Sequence, residues 1–166
     1  MYRDVPFETR KKRRSEMQMS KQLSVTLVNK PGRLADTLAA LNKEKVSFQA
    51  LSVMDSGDRG TLRFVPDDHV AATEVLERIN VRFDTSDVLL VDVSSQAGAF
   101  SKICERLASD HLNIDYAYSS VGTHHGTKGG ATVVIKVNDL AKAQRVLAEN
   151  GSSRRKLPGR RPVHAR

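Results

Sequence analysis

The chain has a single cysteine, no tryptophan, and aromatic side chains at only 5% of its 166 residues. One cysteine, Cys104, excludes an intramolecular disulfide framework and fits a reducing compartment, so a cytoplasmic protein is expected. Cys104 falls on the apolar stripe of a predicted helix, where it reads as an inert core thiol. The scarcity of aromatics requires a core that is mostly aliphatic. No apolar run approaches the roughly 20 residues that a membrane-crossing helix needs, so no membrane partner is expected. The charged N-terminus has no apolar stretch after it, so no secretory signal is expected. Also missing is any recognisable set of nucleophile, base and orienting acid, which argues against an enzyme. No cofactor motif stands out. Gly126-Thr-Lys-Gly-Gly lacks the spacing of a phosphate-binding loop. His124 and His125 point apart as neighbours, with no Cys, Asp or Glu close by to complete a metal site.

The formal net charge of +8 suggests nucleic acid until it is located. Residues 1–20 carry six basic side chains against three acidic ones. Residues 152–166 carry six basic side chains and no acid. The stretch between them, 21–151, holds 15 basic and 16 acidic groups. A basic groove on a folded surface needs its charge inside the periodic region. That region is nearly neutral, so nucleic acid is not the expected partner of the folded part. Both tails lack any apolar period and are expected to be disordered.

Between the tails one pattern runs twice. Leu23-Ser-Val-Thr-Leu-Val alternates apolar and polar residues, as a half-buried strand does. Asn29-Lys-Pro-Gly breaks it and opens a helix with Leu34, Ala35, Leu38 and Leu41 on one face. Strands are predicted over 46–54 and 61–65, separated by a turn. A second helix is predicted with Val70, Val75, Leu76 and Ile79 on its apolar face, and a short strand near 81–84 would complete β-α-β-β-α-β. The order then restarts with a strand at 88–93. Gln96-Ala-Gly-Ala-Phe100 now stands in the place that Lys30-Pro-Gly-Arg-Leu34 held in the first round. A helix with Phe100, Ile103, Cys104 and Leu107 follows, then strands at 114–121 and 131–137, and a helix capped near Asn138-Asp139. Asp68/Asp139, Val75/Val146 and Leu76/Leu147 also correspond, at a slightly wider spacing than Lys30/Gln96. The additional residues fall in the Gly-rich turn, where insertion costs least.

Strand, Asn29-Lys-Pro-Gly-Arg-Leu34, then helix, occurring within a duplicated βαββαβ unit, resembles the ACT domain. The likeness covers about residues 21–151 and is nearest to free-standing tandem ACT proteins without a catalytic domain. It implies an α+β fold of two ferredoxin-like modules, antiparallel sheets with helices on one face, set side by side. The implied division is a basic N-terminal segment at 1–20, modules at 21–85 and 86–151, and a basic tail at 152–166. It also implies a regulatory, allosteric protein that binds an amino acid where the modules meet, with a homodimer or a regulated enzyme as partner. The candidate ligand-binding residues are Asn29, Pro31, Gly32, Arg33 and Leu34 in the first loop, and Gln96, Ala97, Gly98, Ala99 and Phe100 in the second. Met54, Tyr116 and Tyr118 are candidates to line a side-chain pocket.

The physics of those loops points the same way. Glycine permits sharp turning and close approach of backbone to a ligand. The first N–H groups of the following helix have no intrahelical partner and favour a carboxylate. Asn29 and Gln96 offer side-chain carbonyls to an ammonium group. Each feature has a plainer reading. Pro31-Gly32 is also an ordinary helix start, and Gln96-Ala-Gly lacks the Lys-Pro of the first loop and can be a structural relic. Tyr116 and Tyr118 can simply cover the sheet. Two other functions stay open: RNA or anion binding through the arginine-rich tails, and a dimerisation module with no ligand. In one respect the sequence departs from the family pattern. A last strand should follow Gly151, but Ser-Ser-Arg-Arg-Lys-Leu-Pro-Gly-Arg-Arg-Pro is a poor strand. Either the second module lacks that strand or residues 154–157 form it weakly.

Overall fold

The computed structural model describes residues 17–120 and 130–148. Ten elements follow in order: β1 (Gln18–Val28), α1 (Arg33–Lys43), β2 (Phe48–Ser56), β3 (Arg59–Pro66), α2 (His69–Arg78), β4 (Arg82–Val93), α3 (Ala99–Ser109), β5 (Ile114–Ser119), β6 (Ala131–Val137) and α4 (Leu140–Ala148). The second helix of each repeat starts at an aspartate that caps it. Asp68 Oδ1 accepts the N–H of Ala71 at 3.0 Å, and Asp139 Oδ1 accepts that of Lys142 at 2.9 Å. Such a cap satisfies one of the donors that a helix start leaves open. The first helix of each repeat ends in the same way. Lys45 and His111 take left-handed φ angles of 57° and 56°. The next amides, of Val46 and Leu112, reach back to the carbonyls of Leu41 and Leu107. This is the Schellman closure, and it recurs at equivalent positions of the two repeats.

The strands form one six-stranded antiparallel sheet in the order β2-β3-β1-β4-β6-β5. Two expected strands, at 81–84 and 88–93, are a single strand, β4, of 12 residues. Its residues 82–90 pair with β1, and its residues 89–93 pair with β6. The expected division at 85/86 therefore falls inside a continuous strand. β1 is also longer than the alternation at 23–28 predicted. Its residues 18–22 pair with 90–86 of β4. That is the position a fourth strand of the second repeat would take, beside that repeat's first strand. Met17 packs against the second repeat's core as such a strand requires. Each central strand thus serves both repeats, its first half as the fourth strand of one and its second half as the first strand of the other. Residues 154–157 lie outside the described residues, and the place in the sheet is already filled by 18–22.

All four helices cover one face. Leu23, Val25, Leu62 and Phe64 meet α1 and α2 in a first core with Leu41, Val75 and Leu76. Leu89, Val91, Ile135 and Val137 meet α3 and α4 in a second core with Leu107 and Ala143. A third cluster lies on the opposite face: Ala50, Val65, Val88, Leu90 and Val134, with Tyr118 against it. The sheet curls around this face until its two edge strands touch, with an antiparallel bridge between Ala50 and Ser120. A bulge in each edge strand makes this possible. The register shifts between Phe48 and Ala50 and again between Ile114 and Tyr116. One extra residue reverses the alternation. Phe48 and Ile114 therefore point at the helices, while Ala50 and Tyr116, two positions later, point to the helix-free face.

Candidate functional site

The two glycine loops have the same backbone. Gly32 (φ 89°) and Gly98 (φ 79°) both occupy the left-handed region immediately before a helix. In both loops the first helical amide turns back three positions, Arg33 to Lys30 at 3.3 Å and Ala99 to Gln96 at 3.1 Å. Both glycine carbonyls then accept the first helical bond, from Asp36 and Lys102. Among the described residues no side chain caps either helix. The N–H groups of Leu34 and Ala35 have no partner among the described residues, and neither do those of Phe100 and Ser101. Among the described residues nothing fills the space beside either glycine. A Cβ on Gly98 would meet nothing within 4 Å, and one on Gly32 would meet only Asp36 Oδ2 at 4.0 Å. These are open amide sites of the kind that receive a carboxylate.

Charge distinguishes them. Asp36 stands in the first turn of α1, and the first turn of α3 holds no acid. Lys102 occupies the place in the second repeat that Asp36 occupies in the first. The first loop is also tethered. The Asn29 amide donates to Asp55 Oδ1 at 3.1 Å and to the carbonyl of Gly57 at 3.0 Å, which ties the loop to the β2–β3 turn. The loops do not converge. β1 and β4 are antiparallel neighbours, so the loop after Val28 and the loop after Val93 leave opposite ends of that pair. Along the strand direction they are separated by more than the length of β1, on the order of 30 Å at ~3.3 Å per residue.

A second polar cluster lies on the helix-free face, between the repeats. Gln22 of β1 is fully buried. Its Nε2 donates to the Tyr116 hydroxyl at 2.6 Å and to Ser24 Oγ at 3.1 Å, and its Oε1 accepts from the Tyr118 hydroxyl at 2.8 Å. The two tyrosine rings stack with centroids 6.5 Å apart. Burial raises the Tyr118 phenol well above its usual range; neighbouring Tyr116 adds to this and the Arg63 charge opposes it. The Arg63 guanidinium lies over the Tyr116 ring, its Cζ 4.4 Å from the centroid. Arg63 Nη1 also lies against Met54 Sδ.

The structure therefore sorts the sequence candidates into three places. Asn29, Pro31, Gly32 and Arg33 are exposed at one end of the sheet, and Gln96, Ala97 and Gly98 are exposed at the other, with Ala99 half-buried. Leu34 and Phe100 turn away from their loops into the first and second cores. Met54, Tyr116 and Tyr118 gather in the inner cluster. Gln22 and Arg63 were missed. Alternation sets Gln22 and Arg63 on the face opposite to Leu23, Leu62 and Phe64, where a polar residue reads as solvent-facing, so neither gave a local signal. Nothing in one strand reveals that two tyrosines from 94 and 96 residues away arrive at Gln22. A separate groove of about 410 Å³ lies between α1 and the start of β2, lined by Leu38, Asn42, Val46, Ser47 and Phe48, and includes none of these residues. His124 and His125 fall outside the described residues. Among the described residues no helix is long and apolar enough to cross a membrane, and no group of three or more potential metal ligands occurs.

The same architecture occurs in known proteins. Protein BT0572 from Bacteroides thetaiotaomicron is 30% identical, with a TM-score of 0.72 over 80% of this chain and 89% of that one. The regulatory subunit of aspartate kinase from Thermus thermophilus, in its ligand-free form, superposes with a TM-score of 0.59 at 18% identity, covering 80% of this chain and 94% of that one. The aspartokinase alpha and beta subunits give 0.56 at 22% identity, covering 79% and 93%. The last two likenesses show a shared fold. No curated protein matches the chain. The family model of the ACT domain pair matches residues 17–153, from just before the shared strand through both repeats, and the chain belongs to that family.

Proposed function

We propose that this protein is a non-catalytic regulator that binds an amino acid at its glycine loops and changes its affinity for a partner enzyme when liganded. The observation that carries the reading is the pair of left-handed, uncapped helix starts at Gly32 and Gly98, where the other two helices among the described residues are both capped by aspartate. A helix start that is left uncapped and unobstructed twice, at equivalent positions, is available to a ligand carboxylate. The loops leave opposite ends of the central strands, so the reading is of two sites, one per repeat, in place of one common cleft. The second loop suits the carboxylate better, because Lys102 replaces Asp36 and the first turn of α3 holds no acid. The Gln96 side-chain carbonyl serves the ammonium group. The regulatory role is supported by membership in the ACT domain pair family and by the fold shared with a regulatory subunit of aspartate kinase. Linkage follows if the ligand binds one arrangement of the loops more tightly than another.

Calorimetric titration of the whole chain with each of the twenty amino acids tests this. At least one is expected to give saturable heat, and Lys102→Glu is expected to weaken it about two- to five-fold, the range for a charge at a helix start. Silence across the panel at millimolar ligand would overturn the reading.

A further inference from the structure

Arg63 lacks what an arginine with shielded N–H groups normally has. Its Nε is closed off from solvent and makes no hydrogen bond. Nε is the one shielded orphan of the group: Arg63 itself is half-buried, and it forms no ion pair among the described residues. Its one hydrogen-bonded neighbour is the thioether of Met54, a weak and soft acceptor for a full positive charge. Its other neighbour is the face of Tyr116, which attracts the cation and leaves the N–H edge unsatisfied. Burying donors of a charged group without acceptors is costly, and guanidinium geometry is matched to carboxylate oxygens. The surroundings favour an incoming anion. The Tyr116 and Tyr118 hydroxyls are held by Gln22, and the facing positions on β1 and β2 are Ser24 and Ser52. Met54 is 49% exposed, so its flexible side chain has room to swing outward.

We propose that Arg63 is a carboxylate-binding site on the helix-free face, at the junction of the repeats, and that the Met54 thioether holds the place of the ligand oxygen when the site is empty. The site is distinct from the glycine loops. Arg63 lies four positions along β3 from Arg59, the partner of Val28 where the first loop begins, a separation of ~13 Å that one small amino acid does not span. It also faces away from the helices. The ligand class is a small organic carboxylate with a flat or apolar body to lie beside the Tyr116 ring. The inference does not depend on the loops binding anything.

The test is nuclear magnetic resonance of the full chain, following the Arg63 Nε–H and the tyrosine ring signals during titration with acetate, glutarate, benzoate and inorganic phosphate. At least one carboxylate is expected to shift these signals saturably, with phosphate weaker. Arg63→Lys keeps the charge but loses the fork and is expected to weaken binding at least tenfold. Met54→Ala removes the placeholder and is expected to tighten it. The amides of Leu34, Ala35, Phe100 and Ser101 report the loops in the same spectra, so failure of one site is told apart from failure of the other. Shifts that stay linear in concentration, a preference for phosphate, or an unchanged response in Arg63→Lys would overturn the proposal. Weaker binding in Met54→Ala would overturn the placeholder role.

Discussion

At the positions where β5 of the second repeat carries Tyr116 and Tyr118, β2 of the first carries Ala50 and Ser52. Where β1 carries Gln22, β4 carries Val88, and Arg63 of β3 answers to Val134 of β6. At these four positions the first repeat gives the inner face small or polar side chains and the second gives it bulky or apolar ones, while Val65 and its counterpart Lys136 reverse the trend. Both repeats keep the same bulge, the same left-handed glycine and the same helix closure. The difference is what lets them join. Two tyrosines cannot both reach across to a buried glutamine if the facing strand also carries large side chains. Duplication supplied the frame, and divergence on one face made the halves complementary rather than interchangeable.

The most severe way to break this comparison is to remove what the repeats share. Deleting residues 17–22 takes away Met17 and the paired stretch beside β4. Hydrogen exchange is expected to show loss of protection in β4, β5 and β6 while β2 and β3 keep theirs. Equal protection in both repeats would mean that the first half of β1 is dispensable to the second.

A smaller effect comes from the joint itself. Gln22→Leu leaves the Tyr116 and Tyr118 hydroxyls without their buried partner and is expected to lower stability by about 2–3 kcal/mol in thermal denaturation. Adding Tyr116→Phe and Tyr118→Phe should recover most of it, because a wholly apolar replacement leaves nothing unsatisfied. If the triple variant is no better than the single one, packing and not hydrogen bonding holds the repeats together.

The loops give a third comparison. Gly32→Ala and Gly98→Ala each force a Cβ into the left-handed region, at about 1–2 kcal/mol. Neither Cβ would meet an atom closer than 4.0 Å, so the two costs should agree. A large inequality, measured by urea denaturation, would show that the repeats differ in backbone strain as well as in charge. The smallest effect concerns pH. The folded Tyr118 phenol ionises above the unfolded value of 10.0. The unfolded chain therefore loses that proton first, and the contribution is present below pH 10 and declines as pH rises beyond it. A melting temperature that falls less steeply above that pH in Tyr118→Phe than in the native chain is the expected result.

Much of this architecture was legible in the residues. Alternation at Leu23–Val25–Leu27, the helical stripe of Leu34, Leu38 and Leu41, and the aspartates at 68 and 139 are local signals. Each is read within one or two turns of chain, because burial of one face sets the period of apolar residues. The duplication was legible for the same reason, since it repeats local signals at fixed spacing. The loop glycines were found because left-handed backbone before a helix demands them.

What only the tertiary structure decided is where those pieces meet. The sequence did not reveal that 81–84 and 88–93 are one strand, because the charged and polar stretch between them has no local period. Nor did it reveal that residues 18–22 stand beside β4 as the second repeat's fourth strand, because backbone pairing is written in no side chain. The bulges before Ala50 and Tyr116 reversed the face on which the following residues lie, a one-residue shift that alternation alone cannot locate. The Gln22–Tyr116–Tyr118 joint and the unpaired edge of Arg63 exist only because the curled sheet brings distant strands together. Local chemistry fixed the elements, and long-range pairing chose their neighbours.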